Sequence, residues 1–449
     1  MKILLIRCPP ISTGHCPDIG LVYIASCLLE EGHDVSVFDL NIELYHILDK
    51  VDKDILKYSN LHSFENFYET LLIKYSLFFE NVFNRIEELK PEIAGFNVWN
   101  SNACMSVEIA KRLKDRFPSV VTIFGGPECY PLLSGEKFAK ETFIDLVIYG
   151  EAELTIKKAI ESIYKDRRIS SIPGSIINVS GAIKDCGWGE YVEKLDDLPR
   201  IVLDVFPLGL YAENNLLPIS FSRGCLYSCE YCPRGMYPKF RWRSPDNIIQ
   251  EIEYLIQKYP GMNSFRVCDA SITSNLKQIE ELCDLILSKG LDTRLQGFAS
   301  TNPKLNYKLL SKMKTAGFDN LCYGVESGSE RLLKKLGKKI NIETIERVIK
   351  ETFEAGIGVA VDMMVGMPDE SEEDFRQSID FLSRNKRYIH AVGINEYGDL
   401  PYSYVFSHMR EFLRIPNEIK RIRHKEMKSL IDPFYIAEAQ KFNYNSKIN

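Results

Sequence analysis

Residues 221–235 read FSRGCLYSCEYCPRG and place three cysteines within eight positions: Cys225, Cys229 and Cys232. Three thiolates on one short loop can converge on a single metal centre, but structural zinc sites and most iron–sulfur clusters use four protein ligands. No histidine or cysteine lies between Cys232 and Cys268 to complete a zinc site. The spacing therefore favours a 4Fe–4S cluster held by three cysteines, which leaves one iron open to a small-molecule ligand.

The chain as a whole has the composition of an ordinary globular protein. Of its 449 residues, 45% are hydrophobic and 26% are charged, and this length allows for two or three domains. The net charge of −6 shows no basic bias that would indicate nucleic acid. The first apolar run ends at Pro9 and Pro10, too early for a secretory signal, and no run approaches the roughly 18 apolar residues of a membrane span. We therefore expect a cytoplasmic protein whose nine other cysteines are ordinary core residues.

Residues 1–180 alternate between strand-like and helical patterns. Apolar runs such as KILLIRCP, DVSVFDL and EIAGFNVWN are separated by helical repeats such as GLVYIASCLLEEGH. This alternation predicts right-handed crossovers and a parallel, doubly wound sheet, with a mostly helical insertion over residues 42–90. Ligands bind at the carboxyl ends of the strands in such sheets, where polar residues and glycines occur here at 97–100, 125–128 and 150–151.

A second alternating series follows a polar, aperiodic stretch that is predicted to be a linker over residues 181–216. Its strand candidates, within residues 217–400, are PISFSRG, SFRVCDA, TRLQGFAS, NLCYGVES, VAVDMMVGMP and HAVGINEY. Six βα units are too few for a closed eight-stranded barrel, so they predict a partial barrel. Residues 401–449 are expected to be mainly helical, and the fold class is α/β.

The cysteine loop resembles the signature of radical S-adenosylmethionine (SAM) enzymes, CxxxCxxC with an aromatic residue, here Tyr231, before the third cysteine. RWRSPDNIIQEIEYL, GVESGSERLLKKLGK and VDMMVGMPDESEEDF resemble later stretches of the same family. The resemblance implies a partial (β/α)6 barrel, with a 4Fe–4S cluster on Cys225, Cys229 and Cys232 and SAM on the open iron. It also implies reductive cleavage of SAM to a 5′-deoxyadenosyl radical, which abstracts hydrogen from a substrate.

The same resemblance assigns SAM binding to Tyr231, Asp269, Glu326 and Gly366. Residue type alone allows plainer roles: Asp269 can cap a turn, Glu326 can favour the start of the next helix, and Gly366 can end a strand. The stretch INEYGDLPYSYVF departs from the Pro-Gly-Thr turn that the family often carries after the sixth strand. No substrate is therefore inferred from the family, and no residue is assigned to catalysis.

The first 180 residues resemble the cobalamin-binding-like domain that precedes the barrel in one large class of that superfamily. The matching stretches are KILLIRCPP, DIGLVYIASCLLEEGHDVSVFDLN, GFNVWN, IFGGPE and DLVIYGEAELT, followed by LDDLP in the linker. The resemblance implies a cobalamin site formed by Gly20, Asn97, Val98, Trp99, Gly125, Gly126, Gly150 and Glu151. His15, in STGHCPDIG, is outside the Asp-x-His-x-x-Gly frame and is not expected to ligate cobalt. Trp99 can instead cover the domain core.

The resemblance leaves two enzyme hypotheses open. The first is cobalamin-dependent methyl transfer to an unactivated carbon of a biosynthetic intermediate, and the second is a cobalamin-free rearrangement, dehydration, epimerisation or cyclisation. A non-catalytic iron–sulfur sensor is disfavoured, because Glu326 and Gly366 belong to SAM motifs that a sensor does not need. Either enzyme would take a small-molecule substrate and an external one-electron donor such as a flavodoxin or ferredoxin. The sequence does not identify the substrate.

Overall fold

Two large sheets organise the described residues, one in each of two structural units, and a two-stranded antiparallel sheet lies in the second unit. The computed structural model describes residues 1–9, 16–53, 67–166, 169–211, 216–233, 236, 239–398, 400–408 and 414–441, with side chains up to residue 429 in the last range. The units are Met1–Asn215, which contains a seven-stranded sheet, and Leu216–Asn449, which contains a six-stranded sheet.

The first unit is a doubly wound α/β domain, as predicted. Its strands are β1 (Lys2–Arg7), β2 (Asp34–Asp39), β3 (Ile93–Asn97), β4 (Val121–Gly125), β5 (Leu146–Ile148), β6 (Ser175–Val179) and β7 (Ala182–Asp185). Its helices are α1 (Ile19–Glu30), α2 (Leu40–Ile47), α3 (Phe67–Lys74), α4 (Ser76–Leu89), α5 (Ala103–Arg116), α6 (Glu136–Phe138) and α7 (Glu153–Asp166). The sheet order is β2-β1-β3-β4-β5-β6-β7, and the first five strands are parallel.

The strand order reverses between β1 and β3, which lie side by side in the sheet. Strand β1 pairs with β2 on one side and with β3 on the other. The connections after β1 and β3 therefore leave the sheet in opposite directions, and this opens a crevice at the carboxyl ends of these two strands. Residues Ile3 to Ile6 of β1 are buried, as expected for a central parallel strand whose two faces are covered by crossover helices.

The sheet extends beyond the strands that the sequence predicts. Strand β6 pairs antiparallel with β5, and β7 pairs antiparallel with β6. Strand β7 lies in the stretch predicted to be a linker, and most of its residues are exposed. An exposed edge strand carries no alternation of apolar residues, so the pattern did not indicate it. The predicted helical insertion contains α2, α3 and α4, and its residues 54–66 lie outside the described residues.

A buried ion pair joins the ends of β1 and β2. Arg7 Nη1 lies 3.2 Å from Asp39 Oδ2, and both side chains are almost inaccessible to solvent. Asp39 also caps α2, because its Oδ1 accepts the backbone N–H of Ile42 at 3.2 Å, and its Oδ2 accepts the hydroxyl of Tyr211. Burial and the charge of Asp39 raise the pKa of Tyr211, which keeps the phenol protonated as a donor.

The second unit contains the predicted partial barrel. Its strands are β8 (Leu216–Ile219), β9 (Ser222–Arg223), β10 (Arg241–Trp242), β11 (Ser264–Val267), β12 (Arg294–Ala299), β13 (Phe318–Glu326), β14 (Gly358–Val365) and β15 (Ala391–Glu396). Its helices are α8 (Pro245–Lys258), α9 (Leu276–Lys289), α10 (Tyr307–Thr315), α11 (Glu330–Lys335), α12 (Ile342–Glu354), α13 (Glu372–Asn385), α14 (Tyr404–Ser407) and α15 (Asn417–Lys441). The sheet order β15-β14-β13-β12-β11-β8 is parallel throughout, which confirms six barrel strands.

The two faces of the six-stranded sheet differ in burial. On β11 and β14 the residues that face the helices are apolar and buried, for example Phe265, Val267 and Val361, whereas Val392 and Ile394 on the edge strand β15 are only partly buried. Side chains alternate along a strand, so Arg266 on β11 and Asp362 on β14 point to the opposite, inner face. Both are only partly buried. The barrel interior is therefore polar in part.

Helix α15 packs against β15 and is fixed by a second buried ion pair. Arg423 Nη1 lies 2.6 Å from Glu370 Oε2, with both side chains buried. The same oxygen of Glu370 also accepts the backbone N–H of Gly366 at 2.7 Å, so this carboxylate connects α15 to the end of β14. Neither α15 nor any other described helix is both long enough and apolar enough to cross a membrane.

We expect Asp39→Ala to lower the free energy of unfolding of the first unit by about 3–5 kcal/mol, because it leaves the buried guanidinium of Arg7 without its carboxylate. Glu161→Ala removes the partner of Lys165 in an exposed pair and is the matched control, for which we expect little change. Urea unfolding of the full chain, followed by circular dichroism, measures both. Equal effects of the two substitutions would contradict the burial of the Arg7–Asp39 pair.

Candidate functional site

The cysteine loop begins at the carboxyl end of β8 and is held there by Asp269. This aspartate follows β11, the neighbouring strand, and its carboxylate accepts the backbone N–H of Phe221 at 2.8 Å. It also accepts the hydroxyls of Ser222 at 2.5 Å and Ser220 at 3.3 Å. Burial raises the pKa of Asp269 to about 6, although these hydrogen bonds favour the ionised form and oppose the shift. The carboxylate thus fixes the three residues from which the loop departs.

Arg243 holds the same segment from the other side. Its backbone N–H donates to the Phe221 carbonyl at 2.8 Å, and its Nη1 donates to the Ser220 carbonyl at 2.9 Å. The guanidinium is buried and pairs with Glu251 at 2.5 Å. The start of the cysteine loop is therefore enclosed by one buried anion and one buried cation.

The middle of the loop is fixed by backbone bonds to distant parts of the chain. Glu230, between the second and third cysteines, donates its N–H to the Leu336 carbonyl at 3.0 Å and accepts the N–H of Val405 at 3.1 Å. Gly337 follows Leu336 with a φ of 72°, and a Cβ there would lie 2.9 Å from Glu230 Cγ. The same Cβ would lie 3.1 Å from the Ser228 carbonyl oxygen, so the positive φ and the close approach to the cysteine loop both favour glycine at this position.

Tyr227 connects the loop to the third barrel strand. Its hydroxyl hydrogen-bonds to the side chains of Ser300 and Asn302, which follow β12, and burial raises its pKa. Ser300 is itself held by Ser271 after β11, since the two hydroxyls are 2.9 Å apart. The loop therefore rests on the carboxyl ends of several successive strands.

The three predicted cluster ligands, Cys225, Cys229 and Cys232, are half-buried free thiols on this loop. Burial, more than the nearby thiol of Cys229, raises the pKa of Cys225, so a metal ion would have to displace its proton. No three histidine, cysteine, aspartate or glutamate side chains in the described part of the chain already form a metal-ligand set. The fit to a cluster therefore rests on the soft thiol donors, their common loop and its fixed ends.

Tyr231 and Glu326, two of the predicted SAM-site residues, lie together beside the second cysteine. The Tyr231 hydroxyl hydrogen-bonds to the side chains of both Glu326 and Cys229. Burial, reinforced by the charge of Glu326, raises the pKa of Tyr231 and keeps it protonated. One phenol thus links the cysteine loop to the end of the fourth barrel strand.

Glu326 has an unusual backbone. Its φ is 69°, and the pairing of β13 with β14 shifts register between Gly324 and Glu326. A non-glycine residue in the left-handed region at a bulge carries strain of a kind that concentrates at functional sites. Lys338, which the sequence analysis did not identify, places its Nζ 3.4 Å from Glu326 Oε1 and also contacts the Gly324 carbonyl. This lysine holds the glutamate at the end of the strand.

Gly366, the fourth predicted SAM residue, lies at the end of β14 with a φ of 73°. A Cβ there would lie 2.2 Å from Cγ of Lys420 on α15. The glycine therefore allows α15 to approach the strand end. Its role toward SAM stays a prediction, as does that of Asp269, whose carboxylate is engaged by the start of the cysteine loop.

In the first unit, Asp18 brings two of the predicted cobalamin residues together at the crevice beside β1 and β3. Its Oδ1 caps α1 by accepting the N–H of Leu21 at 3.0 Å and also accepts Asn97 Nδ2 at 3.1 Å. Gly20 lies so close that a Cβ there would be 3.2 Å from the same oxygen. Asn97 Oδ1 is buried and accepts no hydrogen bond from any described residue, which is a fit for a polar group of a bound ligand.

In the first unit, the loop after β3, called the third loop, packs against the loop after β4. Val98 donates its N–H to the Gly125 carbonyl at 2.7 Å, and its carbonyl accepts the N–H of Glu128 at 3.1 Å. Gly126 has a φ of 112°, and a Cβ there would lie 2.7 Å from the Val98 oxygen. Trp99, next along the chain, is 40% exposed. The two loops thus form a close backbone pair with an exposed indole beside it.

The remaining predicted cobalamin residues follow β5. Gly150 has a φ of 80°, and a Cβ there would meet no atom within 4 Å, so the surface beside it is open. Glu151 comes next and is partly buried. Glycines that expose backbone at adjacent strand ends fit a large ligand that lies across them. His15 is outside the described residues.

Two family models match the chain, one in each structural unit. The Radical SAM superfamily model matches residues 219–382, and the B12 binding domain model matches residues 12–160. The chain therefore belongs to the radical SAM superfamily, in the class with an N-terminal cobalamin-binding domain. The cofactors of that class are a 4Fe–4S cluster, SAM and cobalamin.

Curated relatives align with most of the chain. An uncharacterized methyltransferase of Pyrococcus horikoshii is 26% identical over 397 residues, which cover 86% of this chain and 78% of that protein. An anaerobic magnesium-protoporphyrin IX monomethyl ester cyclase of Synechocystis is 23% identical over 391 residues, which cover 84% of this chain and 72% of the cyclase. Both alignments extend over most of the chain, but the two names state different reactions.

Two solved structures have the same fold. OxsB, a cobalamin-dependent SAM radical enzyme solved with aqua-cobalamin and SAM, has a TM-score of 0.69 at 17% identity over 95% of this chain. The chain spans only 56% of OxsB. TsrM from Kitasatospora setae, a radical SAM methyltransferase solved with cobalamin and a 4Fe–4S cluster, has a TM-score of 0.69 at 19% identity. The match covers 91% of this chain and 78% of TsrM.

We expect Asp269→Ala to lower the cluster content of the reconstituted protein, because it leaves the Phe221 N–H and the Ser222 hydroxyl without their acceptor. Each buried donor left without a partner costs about 1–3 kcal/mol. Iron and sulfide analysis after anaerobic reconstitution measures the effect. Asp292→Ala, at an exposed aspartate before β12, is the control and should bind a full cluster. Full cluster content in Asp269→Ala would contradict the anchoring role.

Proposed function

We propose that this protein is a cobalamin-dependent radical SAM methyltransferase that acts on an unactivated carbon of a small biosynthetic intermediate. The observation that carries the proposal is the match of one chain to both the B12 binding and the radical SAM family models. Its relative in Pyrococcus horikoshii and the similar TsrM structure are both named as methyltransferases. When bound, the cluster supplies the electron that cleaves SAM, and cobalamin carries the methyl group.

In this proposal Cys225, Cys229 and Cys232 hold the cluster at the carboxyl end of the barrel. Tyr231 donates to Glu326 and contacts Cys229, so it keeps the carboxylate and the thiol in a fixed relation. Glu326, held by Lys338, faces SAM as a hydrogen-bond acceptor. Asp269 acts as a positioning residue for the loop, a role that its three donors support, and its contact with SAM stays a prediction.

We assign cobalamin to the crevice at the carboxyl ends of β1 and β3 to β5. The buried Asn97 oxygen without a described donor, the close pair of Val98 and Gly126, and the open surface at Gly150 support this assignment. In the same proposal, Gly20 and Gly125 contribute exposed backbone to the cobalamin site, and Glu151 also contacts cobalamin. Trp99 is placed to pack its exposed indole against the ligand.

An alternative within the same class is radical cyclisation without methyl transfer. The cyclase of Synechocystis, with a similar level of identity, supports this second candidate. Either reaction needs an external reductant, for which we propose a flavodoxin-like or ferredoxin-like protein, and a cytoplasmic setting in which the thiols stay reduced. The methyltransferase is preferred because the relative from Pyrococcus horikoshii, 26% identical over 86% of this chain, is named as one.

We expect the reconstituted, chemically reduced protein to convert SAM to 5′-deoxyadenosine, and Cys229→Ala to abolish this activity. Loss of one thiolate leaves the cluster without its full set of protein ligands. Cys186→Ala, at a partly exposed cysteine of the first unit, is the control and should keep the activity. Liquid chromatography with mass spectrometry quantifies the nucleoside. Normal 5′-deoxyadenosine formation by Cys229→Ala would refute the cluster assignment.

Methyl transfer is distinguished from cyclisation by a second product of SAM. A methyltransferase of this kind also forms S-adenosylhomocysteine, because one SAM gives the methyl group and another gives the radical. The same chromatogram measures this compound. Formation of 5′-deoxyadenosine without S-adenosylhomocysteine, in the presence of bound cobalamin, would favour the cyclisation alternative.

We expect Gly126→Ala to lower retention of cobalamin by the purified protein, because its Cβ would collide with the Val98 backbone and displace the third loop. Gly181→Ala is the matched control, since Gly181 also has a positive φ but a Cβ there would meet no atom within 4 Å. Both substitutions place a Cβ on a backbone with positive φ, but Gly126, at φ 112° and ψ −178°, lies in a region essentially confined to glycine, so its substitution adds more backbone strain as well as the collision. The visible corrin spectrum after gel filtration measures retention. Equal retention by the two variants would contradict the proposed crevice.

A further inference from the structure

Strand β10 lies beside the start of the cysteine loop. It pairs antiparallel with β9, and this pairing places Trp242 directly opposite Ser222. Just before β10, the backbone comes so close to the loop that a Cβ on Gly224 would lie 3.1 Å from Phe240 Cα. Gly224 immediately precedes Cys225, the first of the three predicted cluster ligands. Strand β10 therefore runs along the segment that leads into the cluster site.

The indole of Trp242 is on the side of β10 that carries the anchor of the cysteine loop. Arg243, next along the chain, points toward α8, where its Nη1 pairs with Glu251 at 2.5 Å. Side chains alternate along an extended chain, so Trp242 points to the opposite side. Residues directly opposite each other in an antiparallel pair share a face. Trp242 therefore shares the face of Ser222, whose hydroxyl donates to Asp269 at 2.5 Å.

The N–H group of this indole has no acceptor in the described part of the chain. Trp242 Nε1 is buried, yet it donates no hydrogen bond to any residue that the structure describes. The rings of Phe221 and Phe240 lie beside the indole, with centroids 6.3 Å and 6.2 Å away, and hydrocarbon rings offer no lone pair to an N–H group. Folded proteins leave few buried donors without an acceptor, because such a donor has lost its water and gained nothing. The observation points to a bound group that supplies the acceptor.

We propose that Trp242 donates its indole N–H to a sulfur atom of the 4Fe–4S cluster. This inference rests on the proposed function, since it presupposes a cluster on Cys225, Cys229 and Cys232. The sulfur atoms of such clusters carry negative charge and accept hydrogen bonds, and an indole N–H can only donate. Trp242 is then a positioning residue that acts on the cluster through a hydrogen bond and is not one of its ligands.

The consequence is a higher reduction potential of the cluster. The reduced cluster carries one more negative charge than the oxidised cluster, so a hydrogen bond to sulfur stabilises the reduced form more. The low dielectric around a buried donor strengthens this effect. Trp242 therefore makes the transfer of one electron from the external donor more favourable.

The test is a potentiometric titration of the protein reconstituted with cluster and loaded with cobalamin. Electron paramagnetic resonance measures the reduced cluster, whose signal differs from that of cobalamin in g values and temperature dependence. Trp242→Phe keeps an aromatic ring and removes the N–H. We expect it to lower the equilibrium constant for reduction about tenfold, which is about 59 mV for a one-electron couple. Trp188→Phe, at an exposed tryptophan of the first unit, is the matched control and should keep the potential of the unaltered protein.

A second variant separates the hydrogen bond from packing. A smaller ring at position 242 also admits water, and solvent exposure by itself changes the potential of a cluster. Replacement of Trp242 by 3-benzothienylalanine keeps the size of the side chain and puts a sulfur in place of the N–H. We expect this variant to lower the potential as Trp242→Phe does. A potential equal to that of the unaltered protein in the benzothienyl variant would overturn the proposal, whatever Trp242→Phe does.

Titrations without and with SAM identify the acceptor. A lowered potential under both conditions supports a bond to cluster sulfur, because the sulfur atoms are present in both. A difference between the Trp242 variants and the unaltered protein that arises only with SAM would assign the N–H to SAM and overturn the proposal. Iron and sulfide contents equal to those of the unaltered protein show that each variant is folded and loaded.

The same preparations are assayed for 5′-deoxyadenosine in parallel. Formation of this nucleoside, with unchanged potentials in both Trp242 variants, would leave the proposed function standing and reject the hydrogen bond. Lowered potentials in both variants, with no 5′-deoxyadenosine formed even by the unaltered protein, would retain the hydrogen bond and reject the proposed function.

Discussion

A single buried carboxylate sets the geometry of the cysteine loop. Asp269 accepts the Phe221 N–H and two serine hydroxyls, and it does so from a site where burial raises its own pKa. The donors offset the cost of desolvation only when they surround the carboxylate closely, so the segment before the loop has little freedom to move. Arg243 encloses the same segment from the opposite side. Every thiol in the loop therefore starts from a fixed point at the end of β8.

The contacts of the loop explain how a short segment can organise most of the barrel's carboxyl end. Tyr227 bonds to the end of β12, Tyr231 to Glu326 at the end of β13, and Glu230 to the turn after α11 and to Val405. Each bond alone contributes about 1 kcal/mol, but together they define the position of the loop relative to four strands. The strained φ of Glu326 is maintained by the same set, since Lys338 and Tyr231 both hold its carboxylate. The position of the cysteine loop is thus set jointly by residues that are far apart in sequence.

The sequence was sufficient for the parts of the structure that depend on local pattern. The cysteine spacing indicated the site, and apolar periodicity predicted both sheets and the six barrel strands. The sequence was insufficient where the role of a residue depends on a contact with a residue that is distant along the chain. Asp269 was predicted to be a turn cap or a SAM ligand, whereas its partners lie almost fifty positions earlier. Lys338 ends the stretch GVESGSERLLKKLGK, but nothing in the sequence indicated its contact with Glu326. Strand β7 was missed because an exposed edge has no apolar alternation. The individual SAM and cobalamin contacts stay predictions, because they depend on ligands as well as on the chain.

The order of folding is also constrained by long-range bonds, which are made by the loop after β14 and by the cysteine loop. Glu370, which holds the Gly366 N–H, is paired with Arg423, and these residues are 53 positions apart. Glu230 obtains a backbone bond only when Val405 is in place. A ribosome exposes the three thiols long before it has synthesised Val405 or Arg423. The cysteine loop therefore reaches its final form late in synthesis, and until then its thiols are open to oxidation and to stray metal ions. We therefore expect a cluster on the proposed ligands of this loop to assemble after the barrel is complete.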